Sequence, residues 1–173
     1  MMHKFKKLSI LGFLLLVFSI TSLFSGTINY SAAEIKITIP NDWDYELDGS
    51  QLTIGLDEVE LALSFNVIDD QVIELDEDYF NLLKKTAVTE LENQTGGIVE
   101  MEEELFEDEI EGMAIFGSFS KLDTEDGLYG VFIAAFQRTP EKIVFLIVLG
   151  KEDDLETYGD DIGEILESIE TIY

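Results

Sequence analysis

The sequence predicts an α+β domain in which an antiparallel β-sheet has helices packed on both faces. Three observations predict this class. Several segments alternate apolar and polar residues with the period of a strand. Two other segments repeat apolar residues at helical spacing, one near the middle of the chain and one at its end. Residues 128–137 and 143–149 are apolar on both parities, which is typical of central strands covered on both faces.

The first 33 residues have the organisation of a secretory leader. They contain no Asp or Glu, and three lysines precede the apolar run Leu8–Phe24. A basic start, an apolar middle and a small-residue exit predict a signal peptide. We expect cleavage after Ala33, because Ser31 and Ala33 form a small-residue pair and the segment from Gly26 reads as flexible.

Retention of the leader is the alternative. Leu8–Phe24 counts 17 residues, just short of the roughly 20 that a spanning helix needs, so it could remain as an N-terminal membrane anchor. In both cases Lys4, Lys6 and Lys7 stay cytoplasmic. The body, residues 34–173, is then predicted to be extracytoplasmic, either secreted or anchored to the outer face of the cytoplasmic membrane.

The composition of the body excludes several classes of partner. The chain carries 37 acidic and 10 basic residues, for a formal net charge of −27. Such a surface repels nucleic acid and anionic lipid. We therefore expect no nucleic-acid partner, and contact with a membrane only through the N-terminal apolar segment. Apolar residues make up 46% of the chain and cysteine is absent, so we expect one folded domain without disulfides.

The first half of the body predicts three strands and a helix. Residues 35–39 alternate until Pro40, which cannot donate to a ladder; residues 51–55 and 59–67 follow as strands. The helix begins near Asp76 and ends at Gly96-Gly97. Its apolar stripe is Phe80, Leu83, Ala87 and Leu91, and Lys84 and Lys85 are assigned to its wetter side.

The second half predicts four strands and a closing helix. The strands are residues 99–105, 113–119, 128–137 and 143–149, with an acidic turn at 106–112 and an acidic loop at 121–127. The short link at 138–141 predicts an antiparallel hairpin. Asp153 or Asp154 is the expected cap of the final helix, and Gly159 and Gly163 are expected to let that helix approach the sheet closely.

The segment "IPNDWDYELDG" carries the candidate metal ligands. Asp44, Glu46, Asp48 and Gly49 occupy positions 1, 3, 5 and 6 of an EF-hand loop. The twelfth position, however, is Gly55 instead of the bidentate Glu, and the flanking segments are strands. We read the segment as an acidic turn. A looser calcium site on Asp44, Glu46 and Asp48, with the acidic turns at 107–111 and 123–126, remains the alternative.

Catalytic side chains are scarce in the body. The single histidine, His3, lies in the leader, so the body has no imidazole base. Arg138 is its only arginine, which argues against a phosphate clamp. We therefore expect no catalytic residues, no enzyme activity and no cofactor, calcium excepted.

The order of these elements resembles the PsbP-like family and its bacterial DcrB-like relatives. The resemblance rests on a leader followed by "ITIPNDW" with Pro40 and Trp43, on "YGVFIAAFQRTPEKIVFLIVLG", and on a helix closing "EILESIETI". Gly112 in a hairpin region and Ser168 in the closing helix are further landmarks. The match is a pattern of elements without a catalytic signature, and the high acidity departs from a typical member.

The resemblance implies a sheet sandwiched between helices in an extracytoplasmic protein. It also implies a non-enzymatic module that binds a protein or a cell-envelope component. Under this interpretation Pro40 and Trp43 are structural landmarks, and Trp43 is a core plug at the edge of the sheet instead of a ligand-stacking residue. The acidic cation-binding protein remains the alternative function.

Overall fold

The computed structural model describes residues 26–56, 58–69, 74–102, 104–110 and 113–172. The basic start and apolar run of the predicted leader lie outside the described residues, as do Glu103 and Gly112. The strands are β1 Gly26–Tyr30, β2 Ile35–Ile39, β3 Asp44–Asp48, β4 Gln51–Gly55, β5 Leu61–Asp69, β6 Ile98–Met101, β7 Phe106–Ile110, β8 Met113–Thr124, β9 Gly127–Thr139, β10 Lys142–Lys151 and β11 Glu170–Thr171. The helices are α1 Glu77–Thr95, α2 Glu152–Thr157 and α3 Gly159–Glu167.

A large antiparallel sheet forms the centre of the molecule. Its strand order is β3-β4-β5-β10-β9-β8-β6, and β7 pairs with β8 beside β6. The strands that are apolar on both parities, β9 and β10, lie in the middle of this order and form the predicted hairpin across residues 140–141. Their predicted central position is confirmed. Strands with apolar residues on both faces are stable there because both faces are covered.

Helix α1 covers one face of the large sheet. The Asp76 carboxylate accepts a hydrogen bond from the backbone N–H of Tyr79 at 2.8 Å, and Gly96 ends the helix in the left-handed region at φ 68°. Both ends are therefore as predicted. The predicted apolar stripe is buried against alternate residues of β9 and β10: Phe80, Leu83, Ala87 and Leu91 pack with Val131, Ile133, Ala135, Ile143, Phe145 and Ile147.

The other face of the large sheet is covered mainly by a second sheet. Its three strands have the order β1-β2-β11, all antiparallel. Alternate residues of β1 and β2 pack with Ile165 of α3 onto alternate residues of β4, β5 and β10. Helices cover this face only in part, so the prediction of helices on both faces is not confirmed in that form.

Strand β1 is a feature that the sequence interpretation missed. The segment that was expected to be flexible pairs with β2 over five residues, from Gly26 opposite Ile39 to Tyr30 opposite Ile35. The side chains of Tyr30 and Ala33 are fully buried. Cleavage after Ala33 stays a prediction, but it would remove this strand from the fold.

Two acidic segments that were predicted as turns are strands at the edges of the large sheet. Asp44–Asp48 is β3 and pairs with β4, and Phe106–Ile110 is β7 and pairs with β8. The predicted acidic loop at 121–127 is also mostly strand, because β8 continues to Thr124. Charged residues are common on edge strands, where they discourage pairing with another chain. The predicted strand at 99–105 is shorter, ending at Met101.

The closing helix is broken into two pieces at Tyr158. Neither Asp153 nor Asp154 caps it, since both lie inside the first turn of α2, and the N-cap position is Lys151. Nothing lies within 4 Å of a Cβ built at Gly159 or Gly163. The expected close approach of these glycines to the sheet is therefore wrong, and Gly159 instead marks the start of α3.

Candidate functional site

The candidate calcium ligands lie on one face of an edge strand. Asp44, Glu46 and Asp48 alternate along β3, and the turn that follows contains Gly49 at φ 61°. Side chains two residues apart on a strand are separated by roughly 6.6 Å, whereas calcium binds oxygen at about 2.3–2.6 Å. One cation therefore cannot contact all three while they remain in β3. Within the described ranges, no group of three or more His, Asp or Glu is arranged to hold a metal ion.

Trp43 lies in the core directly before β3. Its side chain is 1% exposed. The indole Nε1–H donates to Oδ2 of Asp161 at 3.3 Å, and the ring meets that of Tyr158 edge-on with centroids 6.3 Å apart. The backbone N–H of Trp43 donates to the Pro40 carbonyl at 3.3 Å, so the proline that ends β2 also positions the tryptophan. A ring buried in this way is not available to stack on a ligand.

Three phenylalanine rings form a surface on the large sheet, and we call Phe106, Phe119 and Phe132 the aromatic shelf. They come from β7, β8 and β9. Phe132 lies nearly parallel to Phe106, at 8° and 5.5 Å between centroids, and contacts Phe119 at 4.8 Å. Phe119 is 56% exposed, and the other two rings are partly exposed.

A glycine makes room for the Phe106 ring. Phe106 is the partner of Gly117 in the β7–β8 ladder, and a Cβ built on Gly117 would lie 2.0 Å from the Phe106 ring. The ring therefore rests on the backbone of β8. Beyond the shelf, Leu155 of α2 fills the space above Gly130 and Gly150, so the shelf lies between α2 and the covered part of the same face.

The surroundings of the shelf are acidic. On β7, Glu107, Asp108 and Glu109 follow Phe106 and are all exposed. Lys121, two residues beyond Phe119 on the same face of β8, is paired with Glu152 at 2.7 Å. Lys121 is therefore already neutralised, and Asp108, on the face of the rings, gives the shelf an anionic border.

A buried lysine lies beneath α1 on the opposite face. Lys84 was assigned to the wet side of the helix, but it is 7% exposed. Its Nζ donates to the Glu102 carbonyl and to Ser118 Oγ, both at 2.7 Å. Burial lowers the pKa of the Lys84 amine, opposed by the nearby Glu102 carboxylate. A serine beside a lysine can act as a nucleophile, but in this structure Ser118 is fully buried.

A second polar group joins the loop before β5 to β9 and β10. Glu60 accepts hydrogen bonds from the Tyr129 hydroxyl and from Lys151 Nζ. These two bonds lower the pKa of Glu60. Burial, with Glu60 beside it, raises the pKa of Tyr129 to about 12. At neutral pH both groups are in the protonation states that favour the contact, which ties the loop to the sheet.

Comparison with solved structures identifies the fold. A cyanobacterial PsbP (CyanoP) from Synechocystis aligns with a TM-score of 0.65 and 11% identity, over 84% of this chain and 91% of that one. LpqN, involved in cell envelope biogenesis of Mycobacterium tuberculosis, aligns with a TM-score of 0.57 and 14% identity, over 80% and 83%. The Ran-binding protein Mog1p of Saccharomyces cerevisiae aligns with a TM-score of 0.51 and 10% identity, over 87% and 97%.

Sequence comparison adds no closer relationship. No protein-family profile matches the chain, and no curated protein sequence does. In the part of the chain that the structure describes, no helix is long and apolar enough to cross a membrane. The resemblance predicted from the order of elements is confirmed at the level of architecture: the chain has the PsbP-like fold.

Proposed function

We propose that this chain is a non-enzymatic extracytoplasmic domain that binds a protein or a cell-envelope component through the aromatic shelf. The observation that carries the proposal is the contact of three partly exposed rings, Phe106, Phe119 and Phe132, on one open part of the sheet. Single exposed apolar residues are normal on a protein surface. A contiguous apolar surface with a polar border is instead typical of an interaction site.

The leader sequence and the neighbouring structures support the location and the type of function. A basic start followed by an apolar run is typical of exported proteins. One protein with this fold takes part in cell envelope biogenesis, and another binds the protein Ran. These likenesses concern the fold alone, and the aromatic shelf supplies the argument that is specific to this chain.

Site-specific crosslinking tests the proposal. A photoreactive amino acid is placed at Phe119 in the full chain, produced in the envelope of its own host, and the captured material is identified. The matched control carries the same group at Leu82, which is an exposed apolar residue of α1 on the opposite side of the large sheet. We expect one reproducible partner from position 119 that is absent from position 82.

Two outcomes contradict the proposal. The first is an identical set of captured molecules from both positions, which would mean that the shelf has no specificity. The second is turnover of common esters, peptides or glycans that is abolished by a single carboxylate substitution, which would make the chain an enzyme.

A further inference from the structure

Phe119 of the aromatic shelf is more exposed than the phenylalanine on the other face of the same strand. Phe116 and Phe119 lie on the same strand and point to opposite faces. Phe116 stacks on the buried Phe80 at 6.1 Å, so its ring contributes to the core. Phe119 contacts Phe106 and Phe132 and leaves 56% of its surface in water. Covering this ring surface would therefore contribute to binding.

The charge around the shelf restricts what can cover it. Of the three exposed carboxylates that follow Phe106 on β7, Asp108 lies on the same face of the sheet as the rings, and Glu107 and Glu109 lie on the opposite face of this edge strand. The whole chain has a net charge of −27. Anionic lipids, nucleic acids and acidic polypeptides would be repelled. A cationic partner would be attracted at long range and would find complementary charge at the border.

We propose that the shelf binds a cationic polypeptide segment in which an aromatic or aliphatic side chain is flanked by lysine or arginine. The apolar side chain packs on Phe119 and Phe132, and a neighbouring cation contacts the Asp108 carboxylate. A lysine or arginine over the face of a phenylalanine adds a cation–π attraction. This inference rests on the proposed function and deepens it by naming the chemistry of the partner.

Defined peptides test the inference with the full chain. One fluorescent peptide alternates lysine with phenylalanine, a second alternates lysine with alanine, and a third alternates glutamate with phenylalanine. Binding is measured by anisotropy at low and at physiological salt. We expect the lysine–phenylalanine peptide to bind most tightly, and its affinity to fall as salt increases because exposed charges are screened.

Paired variants locate the binding. We expect Phe119→Ala to weaken binding of the lysine–phenylalanine peptide by roughly tenfold, whereas Leu82→Ala leaves it unchanged. The variant Asp108→Asn should weaken it more than Asp78→Asn, which removes one exposed charge at the start of α1. Thermal melts of each variant separate lost binding from lost folding.

Several results would overturn the inference. Equal binding of the lysine–alanine peptide would mean that charge alone is recognised. Unchanged binding by Phe119→Ala would place the peptide elsewhere. A dimer in sedimentation that Phe119→Ala dissociates would make a second copy the occupant, and binding to phosphatidylcholine vesicles through Phe119 would make it a membrane. A crosslinked partner at Phe119 without peptide binding would leave the proposed function intact and reject only the cationic chemistry.

Discussion

The two ends of one face of the large sheet carry similar side chains under different cover. At one end, Phe65 of the large sheet and Tyr30 of the small sheet that covers it are both completely buried. At the other end, Phe106, Phe119 and Phe132 contact one another and remain partly exposed. The covered aromatics should contribute to the free energy of unfolding, and the exposed ones should contribute little. Substitutions at the covered end should therefore change the free energy of unfolding, whereas substitutions at the open end should change binding.

The largest effect should come from removing β1 from the covered end. We expect a chain that begins at Glu34 to be less stable than one that begins at Gly26, by on the order of 5 kcal/mol or more, because Ile28 and Tyr30 leave the core. Urea unfolding of the two chains measures the difference. Equal stability would show that β1 is dispensable and would favour the predicted cleavage after Ala33.

Trp43→Ala should produce the next largest effect. Truncation of a buried tryptophan costs about 3–5 kcal/mol, and the Asp161 carboxylate would also lose its indole donor. Trp43→Phe is the matched control, since it retains an aromatic ring and most of the volume but loses the hydrogen bond to Asp161. If both variants unfold at the urea midpoint of the wild type, Trp43 does not stabilise the covered end.

Alkaline pH should destabilise the covered end through Tyr30. The Tyr30 hydroxyl donates to the carbonyls of Ser50 and Phe65, and burial raises its pKa above the ordinary 10. Because the folded-state pKa is the higher one, this contribution to stability is complete below pH 10 and is lost as pH rises above it. The slope is at most about 1.4 kcal/mol per pH unit.

The variant Tyr30→Phe isolates this contribution from other titrating groups. Deprotonation of Tyr129 also lowers the stability as pH rises, since the pKa of Tyr129 in the folded protein is raised to about 12. Deprotonation of Lys84 has the opposite effect and raises the stability as pH rises, because its folded-state pKa is lowered. Unfolding free energies of both proteins across pH 9–11 should converge as pH rises. Parallel curves would mean that Tyr30 does not titrate with folding.

At the open end, Phe119→Ala should change the unfolding free energy by less than about 0.5 kcal/mol, as is usual for an exposed site. Thermal or urea unfolding beside Trp43→Ala gives a direct comparison of the two ends. A loss comparable to that of Trp43→Ala would show that the shelf is part of the core, and would weaken the case for a binding surface.

Calcium should have the smallest effect. The β3 carboxylates are spaced along a strand, so we expect calcium to raise the melting temperature no more than sodium chloride at matched ionic strength. A specific site would add about 2.7 kcal/mol at one hundred times its Kd. A calcium-specific rise that is lost in Asp44→Asn/Glu46→Gln would restore the cation-binding alternative.

The sequence predicted those elements in which the apolar pattern is strong. The hairpin of β9 and β10 and the stripe of α1 follow directly from periodicity. Strands β3 and β7 were missed because Asp and Glu are poor strand formers, although Tyr45 and Leu47 alternate with acidic residues at the period of a strand and are themselves exposed. Lys84 could have been placed correctly, since it lies four residues after Phe80 on the apolar stripe.

The shelf could not be predicted from the sequence in the same way. Phe119 and Phe132 have the parity of core residues, and Phe106 was assigned to a turn. Their exposure depends on how far the small sheet extends over the large one. That extent is set by contacts between residues distant in sequence, so periodicity within a segment carries no information about it.

The tie between the two ends of the described chain has a consequence for how the protein folds. Ser168 Oγ accepts from the Thr38 N–H at 2.8 Å and donates to the Thr38 carbonyl at 3.0 Å, and β11 completes the small sheet beside β2. Contacts across such a separation form slowly. During synthesis, the apolar side of the β1–β2 hairpin is not fully enclosed until the last helix has emerged. The covered end is therefore the part of the molecule where a chaperone or a protease would have the longest access.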